Sequence, residues 1–217
     1  MKKMVLLASL IVFLPTIGFA QEKVEAPVWN VGDKWNFTGD GSIEVVKADP
    51  NGFILKFSDR NCILETQGCD AIFFEKSTRN RINAVEGDKR RKYLMGLSKV
   101  LDFPLSSGKH WKSAYSESVV SSWSGHKTTY DYSEVFKIIG WDDVAVRAGK
   151  LKAFKLEYKR VLTSSSFGGS DIGKEFKNQY WYSPDVKYFV KCQYDKEWMK
   201  GSKDIFDWEL TSFQLKK

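Results

Sequence analysis

The 217-residue chain, 42 per cent hydrophobic and 15 per cent aromatic, is long enough to bury a sizeable core as one large β domain or two small ones. Its basic character is mild: residues 1–20 hold two of the 34 Lys and Arg and none of the 27 Asp and Glu, so the remainder carries 32 against 27, a charge of +5. Beyond residue 20 no stretch is apolar and long enough for a membrane span, so no permanent transmembrane segment is expected.

The first twenty residues read as an export signal. Lys2 and Lys3 precede an apolar run from Met4 to Phe13, and Gly18, Phe19 and Ala20 place small residues where a signal peptidase requires them. Cleavage is expected near Ala20, leaving a single β domain over residues 21–217 in the periplasm or outside the cell. Gln21 is not cysteine, so acylation at the new N-terminus is not expected. An exported chain meets an oxidising compartment with no nucleotide pool and no chromosome, which removes kinase, ATPase and nucleic-acid-binding readings.

From there the dominant hydrophobic period is two, the mark of strands. Strands are predicted over Lys34 to Phe37, Ile43 to Lys47, Phe53 to Phe57, Ala71 to Glu75, Tyr115 to Trp123, His126 to Ile138, Lys152 to Leu162, Gln179 to Tyr182 and Ile205 to Leu215. Turn chemistry separates them at Gly39 to Gly41, Asp49 to Gly52, Ser106 to Gly108, and Ala148 with Gly149. One helix is predicted between Asp88 and Leu101, where Leu94, Leu97 and Leu101 share a face that Gly96 weakens. Ser164 to Gly173 reads as a loop. The fold class is therefore all-β, a curved antiparallel sheet or half-barrel with at most one or two short helices. Gly32, Asp33, Lys34 and Trp35 recur in form as Gly108, Lys109, His110 and Trp111, which suggests two related halves.

Chemistry-bearing residues are sparse. Cys62 and Cys69 enclose a short polar stretch and are expected to form a disulfide, contributing about 2.5 kcal/mol by loop closure. Cys192 shares an alternation with Tyr188, Val190 and Tyr194 and is expected to point inward as a small hydrophobe. Arg79, Arg81, Lys89, Arg90, Arg91 and Lys92 form a basic cluster, a candidate contact for anionic head groups or an acidic partner, set against the plainer reading of a solvated loop. Gly168 to Glu175 imitates a phosphate-binding loop but ends in Glu where Ser or Thr is needed. His110 and His126 lack partners at metal-ligand spacing, so no metal and no cofactor are expected. Asp142 with Asp143, and Asp207 with Glu209, are the only acid pairs posed for hydrolysis, the first read as lying in a turn.

Val144 to Glu157, with Val146, Arg147, Ala148, Gly149 and Phe154 at its centre, resembles the Val-Pro-Ala-Gly-Thr-Phe hairpin of a family of uncharacterised bacterial envelope proteins. Trp181, Tyr182, Ser183 and Pro184, followed by Val190 and Lys191, are similar to that family's Trp-Tyr-Ser-Pro-x-Val…Val-Lys segment. Gly108 with Trp111, and Glu209 to Phe213, extend the likeness over residues 103–215, while 21–102 match less well. Arg147 stands where the family has proline. The resemblance implies a periplasmic curved antiparallel sheet, similar to lipoprotein carriers, and supplies no catalytic residue. The expected function is a non-enzymatic periplasmic binding or envelope-assembly protein holding lipid or another apolar ligand on its aromatic concave face. The alternative is a structural or partner-binding subunit of an envelope complex; a carboxylate-based hydrolase is the least supported.

Overall fold

The computed structural model of the chain describes residues 22–39, 41–48, 52–58, 101–120, 125–166, 172–195 and 207–217, together with the backbone of 71–75, 81–85 and 94–95. Residues 1–21, Cys62, Cys69, Arg79, Lys89, Arg90, Arg91 and Lys92 lie outside the described residues, and Arg81 is placed only as a strand residue.

The described residues form twelve strands: β1 (Lys34–Phe37), β2 (Ser42–Ala48), β3 (Gly52–Ser58), β4 (Ala71–Glu75), β5 (Arg81–Val85), β6 (Leu94–Met95), β7 (His110–Val120), β8 (Lys127–Val146), β9 (Gly149–Ser165), β10 (Glu175–Ser183), β11 (Tyr188–Tyr194) and β12 (Trp208–Gln214). They form one antiparallel sheet in the order β5-β4-β3-β2-β1-β12-β11-β10-β9-β8-β7-β6. The sheet is open, with β5 and β6 as its edges. Side chains are described on nine strands, β1–β3 and β7–β12. No helix is present among the described residues, and none is long and apolar enough to cross a membrane.

The repeated glycine turn is part of a much longer structural repeat. Gly32 N–H donates to Val45 O at 2.8 Å, Val45 N–H to Asp33 O at 2.9 Å, and Asp33 N–H to Asn30 O at 2.9 Å. In the second half Gly108 N–H donates to Ile138 O at 2.9 Å, Ile138 N–H to Lys109 O at 2.8 Å, and Lys109 N–H to Ser106 O at 3.1 Å. Both glycines are left-handed, at φ +88° and +79°, a conformation that lets the chain reverse into its strand at no Cβ cost. The registers repeat as well: Trp35 pairs with Ile43 and Val45 with Leu55, as Trp111 pairs with Phe136 and Ile138 with Leu156. Each unit then bulges one residue later, at Val46 and at Ile139. A further irregularity falls between Phe73 and Phe74 in β4 and between Trp181 and Tyr182 in β10. Thus β1–β5 and β7–β11 are two copies of one five-strand meander, and β12 joins them by pairing with both β11 and β1.

Each copy carries its own core. Trp35, Ile43, Val45, Phe53 and Leu55 lie in the first, and Trp111, Phe136, Ile138, Phe154 and Leu156 in the second. The copies interlock because β9 and β10 bury both faces. Phe154 and Tyr182 enter the second core, while their neighbours Ala153 and Trp181 point the other way into the first. The β8–β9 hairpin also outgrows its counterpart, and its tip reaches β12: Ala148 N–H donates to Leu210 O at 3.0 Å, and Arg147 Nε lies 3.2 Å from Glu209 Oε1.

Three sequence-based expectations are corrected. Asp142 and Asp143 lie inside β8, because the bulge at Ile139 lets the strand continue past Gly140. Leu94 and Met95, expected in a helix, form β6, since the free edge of β7 at Glu117 and Ser118 offers them ladder partners. Ser164 and Ser165, expected in a loop, extend β9.

Candidate functional site

The β9–β10–β11 face that carries Trp181 turns polar as it leaves the first core. Trp181 is paired with Lys155 on one side and Lys191 on the other, and their ammonium groups stand 5.2 and 5.3 Å from its ring centroid. Its indole N–H donates to Asp142 Oδ2 at 2.8 Å. About 6.6 Å further along the strands, the next row is Glu157, Gln179 and Gln193. Beyond it Lys159 and Lys177 face each other, both bound to Glu175 at 3.2 and 3.0 Å. Those two lysines hold the Glu175 carboxyl below its ordinary range, the Lys177 bond first, and Glu175 in turn raises Lys177. Of these residues Glu157, Lys159, Lys177, Gln179 and Gln193, together with Tyr194, Asp195 and Asp207, line a half-open groove of about 700 Å³.

Beneath the groove the other face of β10 and β11 is dry. Cys192 pairs with Tyr180, and the thiol is fully buried. Burial pushes Cys192 from 9.0 up to about 12, with hydrogen bonds from Tyr180 and Tyr194 working the other way. Burial likewise raises Tyr194 from 10.0 to about 12 and Tyr180 well above 10.0. Cys192 therefore points inward as expected from sequence; the structure shows it as a free thiol, and at neutral pH it is a protonated packing group. Because the folded values lie above the unfolded ones, these groups contribute stability that is complete below about pH 9 and is lost as pH rises toward 12. Native protein at pH 8 is expected to resist alkylation of Cys192 until it is unfolded in urea, as read by mass; rapid labelling of the native state would contradict its burial.

The remaining site residues separate into structural parts. Gly108 and Trp111 build the turn and core of the second unit, Ala148 and Gly149 the hairpin tip, and Phe154, Trp181 and Tyr182 the interlock. Pro184 opens a turn, closed by Lys187 at φ 63°, whose carbonyls cap two indoles: Trp35 donates to Val186 O at 2.8 Å and Trp29 to Lys187 O at 2.9 Å. The acid pairs do not converge. Asp142 holds Trp181, Asp207 Oδ1 accepts the Tyr194 N–H at 2.9 Å, and Glu209 holds Arg147. His110 and His126 are exposed at opposite ends of the β7–β8 hairpin, and among the described residues no group of three His, Cys, Asp or Glu is placed to hold a metal. Gly173 N–H donates to Leu162 O at 2.8 Å, so this part of the phosphate-loop imitation is a hairpin turn. No disulfide occurs among the described residues, and the Cys62–Cys69 expectation falls outside them.

Sequence reading missed the polar groove. Its residues alternate with core residues on β9 and β10, so they look like an ordinary solvated face until the register brings three strands together.

Among solved structures, an exported-protein candidate with a YmcC-like fold from Bacteroides fragilis is similar at 13% identity and a TM-score of 0.51, covering 88% of this chain and 99% of that one. A lipoprotein candidate from Parabacteroides distasonis has 12% identity and a TM-score of 0.49 over 89% and 100% of the two chains. The hypothetical lipoprotein YmcC from Escherichia coli has 10% identity and a TM-score of 0.45 over 86% and 84%. No protein-family model and no curated protein matches the chain. The Bacteroides fragilis structure shares the fold with this chain.

Proposed function

We propose that this chain is an exported, non-enzymatic binding protein of the bacterial envelope, and that the groove across β9–β11 is where it takes its ligand. The export signal in residues 1–20 supports the location, and the description of the Bacteroides fragilis protein as exported agrees with it. The observation that carries the binding reading is the groove itself: about 700 Å³, lined by the amide residues Asn178, Gln179 and Gln193 and by charged residues of both signs. A polar ligand fits it better than the acyl chain expected from the aromatic content, because the buried tryptophans, Trp29, Trp35, Trp111 and Trp181, are spent on the two cores. A second reading, a partner-binding subunit, is favoured by the open sheet with β5 and β6 as its edges.

Native mass spectrometry of mature protein, purified from the envelope without detergent and followed by extraction, tests these readings. A stoichiometric polar adduct that is lost in Gln179→Ala supports the groove. An extracted lipid restores the apolar alternative. A clean apo mass with a co-purifying protein moves the assignment to the subunit reading.

A further inference from the structure

We propose that residues 22–33 are a closing strap that docks only after the signal peptide has been cut away, so that processing and final folding of the chain are coupled. The proposal rests on reading residues 1–20 as a cleaved export signal.

The strap is fastened at intervals, beginning at the second residue of the expected mature chain. Glu22 Oε2 lies 3.3 Å from Lys152 Nζ on the β8–β9 hairpin. Val24 exchanges two backbone hydrogen bonds with Leu105, at 2.9 and 2.8 Å, and packs against the second core. Five residues later Trp29, 4% exposed, sits in the first core with its ring 5.3 Å from that of Phe53, and donates to Lys187 O. Lys187 Nζ returns a bond to Val28 O at 2.9 Å, and Asn30 Nδ2 donates to Lys216 O at 2.9 Å. The strap thus ties both cores and the C-terminal tail together, and the first core is incomplete without Trp29.

That geometry conflicts with processing. The bond to be cut, between Ala20 and Gln21, precedes Val24 by three residues, a span of about 10 Å when fully extended. A signal peptidase takes an extended chain at the membrane surface, where the apolar run of the signal is held. With the strap docked, the sheet would be pressed against the membrane and the peptidase, and the residues after the cut would be locked in hydrogen bonds. Cleavage therefore needs the strap undocked, and a docked precursor is cut only through the fraction that opens. Release of the new N-terminus lets Glu22, Val24 and Trp29 settle, and the mature protein acquires contacts that the precursor lacks.

Two measurements on the full-length chain test this. Precursor refolded in detergent micelles is incubated with signal peptidase beside freshly translated precursor, Trp29→Ala and Val24→Pro. Refolded wild-type precursor, its strap undocked, is expected to be cut as fast as freshly translated chain and as either variant; cleavage at least ten-fold slower than in the variants would show that the strap docks before processing and overturns the proposal. If freshly translated chain is itself not cut after Ala20, the export reading falls and takes the strap with it. Hydrogen exchange needs no strap variant: in a precursor blocked by Ala20→Arg, the Val24 and Leu105 amides are expected to exchange at least ten-fold faster than in mature protein. Equal protection overturns the proposal.

Discussion

Replacing Trp35 with alanine is expected to destabilise the mature protein by about 4 kcal/mol, within the range of large aromatic truncations in a core. The ring is fully buried, stacks on Tyr188 at 4.9 Å, meets Trp29 edge-on at 6.2 Å, and caps the Val186 carbonyl. Its removal leaves a cavity at the centre of the first core and an unsatisfied carbonyl in the Pro184 turn. Trp35→Phe separates these two effects: most of the packing survives, and loss of the indole N–H alone should cost about 1–2 kcal/mol. Urea unfolding followed by far-ultraviolet circular dichroism gives both values without depending on tryptophan emission. A loss below about 1 kcal/mol for Trp35→Ala would mean that the first core is not organised around this ring.

Asp33→Ala is expected to cost about 3 kcal/mol, for an electrostatic reason. The carboxylate is fully buried; Oδ2 accepts the Asn30 N–H at 2.9 Å, Oδ1 accepts the Lys216 N–H at 2.6 Å, and Lys187 Nζ lies 3.9 Å away. Alanine would leave two backbone donors and a half-buried ammonium facing an apolar void, the costly direction for a buried polar group. Asp33→Asn keeps one good acceptor and should recover part of the loss. Thermal melts of the three proteins rank them, and an alanine variant as stable as wild type would show that water replaces the carboxylate. The corresponding position in the second unit is Lys109, which reaches back to the Asp102 carboxylate at 3.0 Å and the Pro104 carbonyl at 2.9 Å. The same turn is thus fastened by opposite charges in the two copies, Asp33 drawing in the C-terminal tail and Lys109 the segment before its own turn.

The fold class and most strands were legible in the residues alone, because alternation of apolar and polar residues is a local property that any half-buried sheet must show. Lys34–Phe37 and Ala71–Glu75 coincide with their predicted bounds, and Phe154, Leu156 and Leu162 face inward as their period requires. The glycine and tryptophan echo was also legible, since a left-handed turn before a buried ring needs glycine at that position. The remaining features depend on register and on contacts between distant residues. Bulges at Val46 and Ile139 shift which residues face the core, and that shift carried Asp142 into a strand. Burial of adjacent residues such as Ala153 with Phe154, or Trp181 with Tyr182, breaks the two-residue period, because the two meanders interlock through β9 and β10. The groove arises in the same way: Glu157, Gln179 and Gln193 become neighbours only through hydrogen-bond pairing across three strands, a relation with no trace in their sequence spacing.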